Sequence, residues 1–225
     1  MQNTRQMIRA NWNRTDTVVI ALNVSAGFAY LGNCWWQSIG VCYAAALIPL
    51  LIQTIWSWQR GDTALRDALL IGLGLGIAWP IGEGITVNVL GWWGEYTAPG
   101  PYIWHTAAYC VLIGWLATAH IAYLATRATA IGFSRGAAAA VAGISAFVTG
   151  LAGENFFVAA DMWTYREATW QFWSIPAFLP IAYAFGYAVL PAFQTRPVVI
   201  RMAVLLGCLF ITCTGFGIAS GFFPE

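Results

Sequence analysis

The chain of 225 residues is 60% hydrophobic, 16% aromatic and only 8% charged. Soluble domains carry roughly one-quarter charged residues, so this composition excludes an ordinary soluble domain and indicates an integral membrane protein. The formal net charge of +1, without a basic cluster, argues against nucleic acid as a partner.

Apolar segments of near-spanning length predict an all-α fold, namely a polytopic membrane protein with seven transmembrane helices. The predicted helices cover approximately residues 17–34, 39–58, 67–90, 102–126, 135–159, 174–193 and 199–222. Seven helices of about 20 residues, with short connections, use nearly the whole chain. The sequence therefore predicts one transmembrane domain over residues 1–225.

The distribution of arginines predicts the orientation in the membrane. Nine of the ten basic residues fall in the N-terminal tail and in the connections after the second, fourth and sixth predicted helices, whereas Arg166 alone lies on the other side. The positive-inside rule places the N-terminus in the cytoplasm. After seven spans of the cell (inner) membrane, the C-terminus is expected outside.

A pattern around Glu83 recurs around Glu154, about seventy residues later. In both copies one glycine directly precedes the glutamate and another lies eleven residues before it, while a tyrosine follows and a tryptophan comes eight residues after that tyrosine. The matching residues are Gly72, Gly82, Tyr96 and Trp104 in the first copy, and Gly143, Gly153, Tyr165 and Trp173 in the second. This recurrence predicts a parallel internal repeat, with units of about 68–126 and 135–193.

Glu83 and Glu154 are the first candidates for catalytic residues, with Asp161, nearer to water, as a third. An ionisable side chain inside an apolar segment is costly and usually faces the protein interior. Each glutamate shares a helix face with glycines that allow close helix approach, so we expect the two to face each other. Pro80 removes one helical hydrogen bond and predicts a bend that opens a polar pocket beside Glu83.

The chemistry of such a pair follows from its surroundings. A carboxylic acid in an apolar pocket tends to stay protonated at neutral pH, and it can then donate its proton to an alkene. Two close carboxyl groups need only one negative charge between them and could divide the acid and base roles. The alternative is a structural role, in which each glutamate accepts hydrogen bonds from neighbouring helices.

The connections after the third and fifth predicted helices are rich in aromatic rings, and these rings are the candidates for substrate binding. Such rings are typical of an aromatic belt at the membrane interface. They would also suit a cage, because aromatic faces stabilise cations by about 2 kcal/mol or more when water is excluded. The candidates are Trp92, Trp93, Tyr96, Trp104, Trp163, Tyr165 and Trp173, together with His105, which could be a partner of Glu83.

Other chemistries find little support in the sequence. The absence of lysine excludes a retinal or pyridoxal Schiff base on this chain, and the five cysteines form no close metal-ligand pair. His105 and His120 are fifteen residues apart on the predicted fourth helix, a spacing that could serve two stacked haems. Each haem would need a second axial ligand, and the chain has no other histidine. We therefore predict no metal and no cofactor.

The pattern of spanning glutamates, each followed by a Gly-, Trp- and Tyr-rich connection and a proline-bearing helix, resembles the rhodopsin-like carotenoid cyclases and carotenoid hydratases. It is also similar to the integral membrane terpene cyclases of meroterpenoid pathways. The resemblance covers about residues 68–193 and implies protonation of an isoprenoid alkene or epoxide without metal or nucleotide. Glu83 and Glu154 match the acids of those families, and the implied partners are a lipophilic isoprenoid and membrane lipid.

Two other classes of function stay open at the level of sequence. The chain could be a non-catalytic subunit that binds pigment, quinone or haem in a larger membrane complex. It could also be a small transporter with its site at the repeat, although the two copies are parallel and not inverted.

Overall fold

The computed structural model describes residues 11–89, 91, 94–97, 100–103, 106–166, 168 and 170–222. Within these residues, six helices are long and apolar enough to cross a membrane. They are α1 (Arg14–Trp36), α2 (Ile39–Arg60), α3 (Thr63–Glu83), α4 (Ala108–Ala130), α5 (Arg135–Ala159) and α7 (Val198–Ala219). Large apolar side chains cover their outer surfaces, and Phe28, for example, is 68% exposed. Long helices that are apolar outside as well as inside indicate a helical membrane protein.

Local signals explain where several helices begin and end. The Asn13 side chain accepts from the backbone N–H of Asp16, and Asp16 accepts from that of Asn13, which gives α1 a reciprocal cap. The side chains of Asp62 and Ser134 accept backbone N–H groups of α3 and α5, respectively, without the reciprocal bond. After α2, Gly61 adopts a left-handed conformation that few residues other than glycine tolerate.

The segment of the predicted third helix, 67–90, contains two types of helix. The α-helical part ends at Glu83, and residues Gly84–Val89 continue as a π-helix. Buried Pro80 lies in the last turn of α3, where it cannot donate a backbone hydrogen bond. Helical winding thus changes directly after Glu83, and single turns of π-helix are frequent at functional sites.

Two connections that follow long helices pair with each other. Strand β1 (Gly94–Tyr96), after α3, lies antiparallel to β4 (Trp163–Tyr165), after α5, and Glu95 and Thr164 form the central pair. We call this two-stranded element the ribbon. Each connection then forms a small hairpin, β2 (Tyr102–Ile103) with β3 (Thr106–Ala107), and β5 (Gln171–Phe172) with β6 (Ile175–Pro176).

The hairpins correct two of the predicted helices. The prediction of helix from residue 102 is wrong, because α4 begins only at Ala108. The predicted helix 174–193 is likewise shorter: α6 covers Phe178–Tyr187, and a 3₁₀ turn follows at Leu190–Phe193. Pro191 explains the early end of α6, since proline in a fourth turn would lack its N–H and clash with a preceding carbonyl group. Hydropathy did not distinguish the hairpins from helix because most of their residues are apolar or aromatic.

Glycines bring neighbouring helices into close contact, as their spacing predicted. A Cβ atom on Gly72 would collide with the carbonyl oxygen of Trp115 in α4, and one on Gly143 would lie 3.1 Å from that of Ala184 in α6. Helices α4 and α6 also meet directly, where the hydroxyl groups of Thr118 and Tyr187 hydrogen-bond at 2.6 Å. These contacts hold α3 to α4 and α5 to α6, and they fix the helices that carry the candidate site.

Candidate functional site

Each glutamate receives a hydrogen bond from a tyrosine of the ribbon. Tyr96, the last residue of β1, donates through its hydroxyl group to Oε2 of Glu83. Tyr165, the last residue of β4, donates to Oε2 of Glu154 at 2.7 Å. The pairing of β1 with β4 therefore brings the two glutamate–tyrosine pairs to opposite ends of one short ribbon.

The surroundings of the two carboxyl groups differ beyond these tyrosines. Tyr183 of α6 donates a second hydrogen bond, of 2.9 Å, to Oε1 of Glu154. Beside Glu83 lie the indole of Trp79 and the hydroxyl of Thr106. The Thr106 hydroxyl is buried and has no hydrogen-bond partner among the described residues.

Both glutamates combine close packing of the carboxyl group with a side chain that is not fully buried. Protein surrounds both carboxyl groups, and Glu83 is within electrostatic range of Glu154. Both side chains nevertheless keep part of their surface accessible.

Trp163 is the aromatic ring that connects the two halves of the site. It is only 7% exposed, and its ring centroid lies 4.4 Å from that of Tyr96 and 5.5 Å from that of Tyr165, both edge to face. Its indole N–H is buried, with no acceptor in the described part of the chain. On the opposite strand Gly94 leaves room for the ribbon to close, because a Cβ there would collide with the carbonyl oxygen of Thr164.

The ribbon tyrosines remain hydrogen-bond donors under ordinary conditions. Burial, together with the neighbouring Cys110 and Glu83, raises the pKa of Tyr96 far above its usual value. Burial, together with Glu154, does the same for the pKa of Tyr165. Both phenols therefore stay protonated and offer their O–H groups to the carboxyl groups.

Two cavities of about 300 Å³ lie near the ribbon. One is polar and borders Glu95, Tyr165 and Arg166, whose guanidinium group donates to the carbonyl oxygen of Gly91 at 2.6 Å. The other is apolar and lies between α6 and the end of α7, lined by Ala168, Trp170, Ala177, Phe178, Ile181 and Ser220. Tyr165 and Tyr183 pack against the small cluster of Phe178, Leu179 and Phe222, so the apolar cavity shares Phe178 with the cluster that the two donors of Glu154 contact.

The other candidates are either exposed or outside the described residues. The side chain of Asp161 is exposed at the end of α5, and its backbone carbonyl, not its carboxylate, accepts from the hydroxyl of Thr97. The ring of Trp173 is 77% exposed. The candidates Trp92, Trp93, Trp104 and His105 lie outside the described residues.

Of the two histidines, His120 lies on α4, and its Nδ1 is buried without a hydrogen-bond partner among the described residues. His105 lies outside the described residues. Across the part of the chain that the structure describes, no three His, Cys, Asp or Glu side chains come together as a metal site.

Sequence reasoning missed Tyr183, Trp79 and Thr106. Tyr183 carried one usable signal, since it is a hydroxyl-bearing residue inside an otherwise apolar helix. The Tyr183 ring packs against Gly150 of α5, where only glycine leaves enough space: a Cβ on Gly150 would lie 2.5 Å from the ring.

Comparison of the chain with models of known protein families, with curated proteins and with solved structures finds no match in any of the three.

Proposed function

We propose that the protein is an integral membrane enzyme that protonates an alkene or epoxide of a lipophilic isoprenoid and guides its cyclisation or hydration. The observation that carries the proposal is the pair of carboxyl groups of Glu83 and Glu154, each of which accepts a hydrogen bond from a tyrosine of the same two-stranded ribbon. Paired carboxyl groups in a site of restricted water access are the ordinary means of general acid–base catalysis without a cofactor.

The proposed reaction uses the pair as acid and base. One carboxyl group loses its O–H proton to an alkene carbon, or to an epoxide oxygen whose C–O bond then breaks, and a carbocation forms. A second alkene of the same chain attacks this cation in a cyclase, whereas water attacks it in a hydratase. The other carboxylate then takes a proton from carbon or from the added water, so that no proton is gained or lost overall.

The aromatic ribbon supports this chemistry by the properties of its rings. Trp163 and Tyr96 lie edge to face within 4.4 Å of each other beside the glutamates, and ring faces attract cations most strongly where water is excluded. The apolar cavity beside Phe178, whose cluster also contacts Tyr165 and Tyr183, is suited to an isoprenoid tail. A substrate of this class would reach the site from the lipid.

We further propose that the chain is a duplicated unit with seven spans, the N-terminus inside and the C-terminus outside. Residues 69 apart contact each other at two places: Glu95 pairs with Thr164 in the ribbon, and Thr118 bonds to Tyr187 between α4 and α6. When two copies of a repeat are related by a two-fold axis, equivalent residues of the two copies contact each other near that axis. The apolar segment Phe178–Phe193 would be the seventh span.

The proposal is tested with membranes that contain the protein, supplied with linear isoprenoids and with their epoxides. Mass analysis of extracted lipids should show cyclised or hydrated products that control membranes lack. A purified protein that carries a bound pigment, quinone or haem, and forms no product from any of these substrates, would contradict the proposal and indicate a binding subunit.

A further inference from the structure

One end of the helical bundle carries most of the positive charge in the described part of the chain. The first turns of α1, α3, α5 and α7 and the last turns of α2 and α4 lie at this end, which we call the basic end. Side chains connect several of these turns: Trp56 donates to Thr15 at 3.1 Å, and Arg201 donates to Asp67 at 3.2 Å. The described charges of the basic end are seven arginines and three aspartates, namely Arg14, Arg60, Arg66, Arg127, Arg135, Arg196 and Arg201 with Asp16, Asp62 and Asp67.

The three aspartates are already engaged within the protein. Asp16 forms an ion pair with Arg127 at 2.6 Å, and Asp67 forms one with Arg201 at 3.2 Å. The side chain of Asp62 accepts a backbone N–H in the first turn of α3. Over the ranges that the structure describes, the other five arginines of the basic end form no ion pair. Their charges are therefore available to an anionic partner outside the chain.

Two of these five arginines lie over tryptophan rings beside the turn between α2 and α3. Cζ of Arg60 lies 4.9 Å from the ring centroid of Trp56, and Cζ of Arg66 lies 5.8 Å from that of Trp58. Attraction between the cation and the ring face restrains each guanidinium group. The N–H groups of both arginines donate to no acceptor among the described residues. The turn thus presents two restrained cations with unused hydrogen-bond donors.

The same turn has the features of a site at the level of the lipid headgroups. The ring of Trp58, in the last turn of α2, is 70% exposed. Tryptophan is enriched at the boundary between hydrocarbon and water. One to two turns further into α2, the apolar side chains of Ile52 and Ile55 are also exposed, as expected of a helix surface that contacts lipid chains.

We propose that the turn between α2 and α3 binds an anionic phospholipid, whose phosphate group accepts hydrogen bonds from Arg60 and Arg66 and whose chains lie along the exposed apolar side of α2. Guanidinium groups present paired N–H donors that match phosphate oxygens, and arginines near a membrane surface attract anionic lipids. Side chains that are restrained by Trp56 and Trp58 before binding lose less conformational freedom when the lipid binds. Free phosphate offers the same acceptor oxygens, but only a phospholipid also covers the apolar surface beside the turn. The site is independent of the proposed reaction, since Glu83 lies at the other end of α3.

Native mass spectrometry of the full-length protein in detergent, titrated with phosphatidylglycerol or with phosphatidylcholine, tests the proposal. The protein should bind phosphatidylglycerol more tightly, because the phosphatidylcholine headgroup has no net charge. Arg60→Gln and Arg66→Gln should each weaken binding of phosphatidylglycerol about fivefold, and the double variant roughly thirtyfold. Glycerol phosphate, a soluble anion with a phosphate group, should bind much more weakly than phosphatidylglycerol.

The matched control combines Arg135→Gln with Arg196→Gln. It removes the same charge from two exposed positions of the basic end, and neither arginine lies over a ring among the described residues. Its affinity for phosphatidylglycerol should stay close to that of the wild-type protein, and thermal unfolding in lipid-free detergent establishes that every variant is folded. The proposal is overturned if the wild-type protein binds the two lipids equally, or if the double Arg60 and Arg66 variant binds phosphatidylglycerol as tightly as the control. Binding of glycerol phosphate as tight as that of phosphatidylglycerol would overturn it as well, and would indicate a site for soluble anions.

Discussion

Replacing Gly150 by alanine tests whether Tyr183 must reach Glu154. The new Cβ would lie 2.5 Å from Cδ2 and 3.1 Å from Cε2 of the Tyr183 ring, whereas carbon atoms in contact lie about 3.5–4.0 Å apart. The ring must therefore move by about 1 Å. Its hydroxyl group now lies 2.9 Å from Oε1 of Glu154, and a shift of this size takes it beyond hydrogen-bonding distance.

The expected loss follows from that hydrogen bond. A bond to a charged group contributes about 1.5–3 kcal/mol, which corresponds to a rate reduced by roughly 10- to 150-fold if Glu154 acts in its ionised form. Overpacking should also lower the free energy of unfolding by about 1–3 kcal/mol. Product formation per amount of protein and thermal unfolding in detergent measure the two effects.

Gly153→Ala is the matched control, since it adds the same methyl group directly beside Glu154. Its Cβ would meet no atom within 4 Å, so turnover should be unchanged, and stability should rise slightly because alanine favours helix by up to about 1 kcal/mol. Gly150→Ala protein that turns over as fast as Gly153→Ala protein would refute the role given to Tyr183.

Three further predictions follow from the described contacts. Trp163→Ala should divert product toward alcohols by admitting water to the cation, and an unchanged product distribution in lipid extracts would count against a shielding role. Asp16→Asn should lower the free energy of unfolding by about 3 kcal/mol. The reason is that Asp16 accepts hydrogen bonds from Arg127 at 2.6 and 2.8 Å and from Tyr123 at 2.8 Å. A variant that unfolds at the wild-type temperature would show that this network is dispensable. Reporter fusions should place the two termini on opposite faces of the membrane, and termini on one face would exclude seven spans.

The helices could be predicted from sequence because a long apolar segment in a membrane satisfies its backbone hydrogen bonds by forming a helix. The predicted helix 135–159 matches α5 (Arg135–Ala159) without change, and the close contacts at Gly72 and Gly143 followed from glycine spacing. Such signals are local, since they depend on residues of one helix and on the length that spans a bilayer.

The ribbon and hairpins could not be predicted, because their structure depends on partners distant in the sequence. Tyr96 and Trp163 pair only when both connections meet, and hydropathy alone assigned residues 102–107 to a helix. Tyr183 was missed for a related reason. Its hydrogen bond to Glu154 depends on the gap at Gly150 in another helix, and neither helix reveals it alone.

The proposed reaction depends on the carboxyl groups of Glu83 and Glu154, and glutamine variants test this dependence most directly. Glutamine keeps the shape of glutamate but cannot donate or accept the proton, so Glu83→Gln and Glu154→Gln should each reduce product formation by about 10²–10⁴-fold. Glu95→Gln makes the same change at an exposed ribbon position and should retain full turnover. Product formation at the wild-type rate by both Glu83→Gln and Glu154→Gln protein would contradict the mechanism.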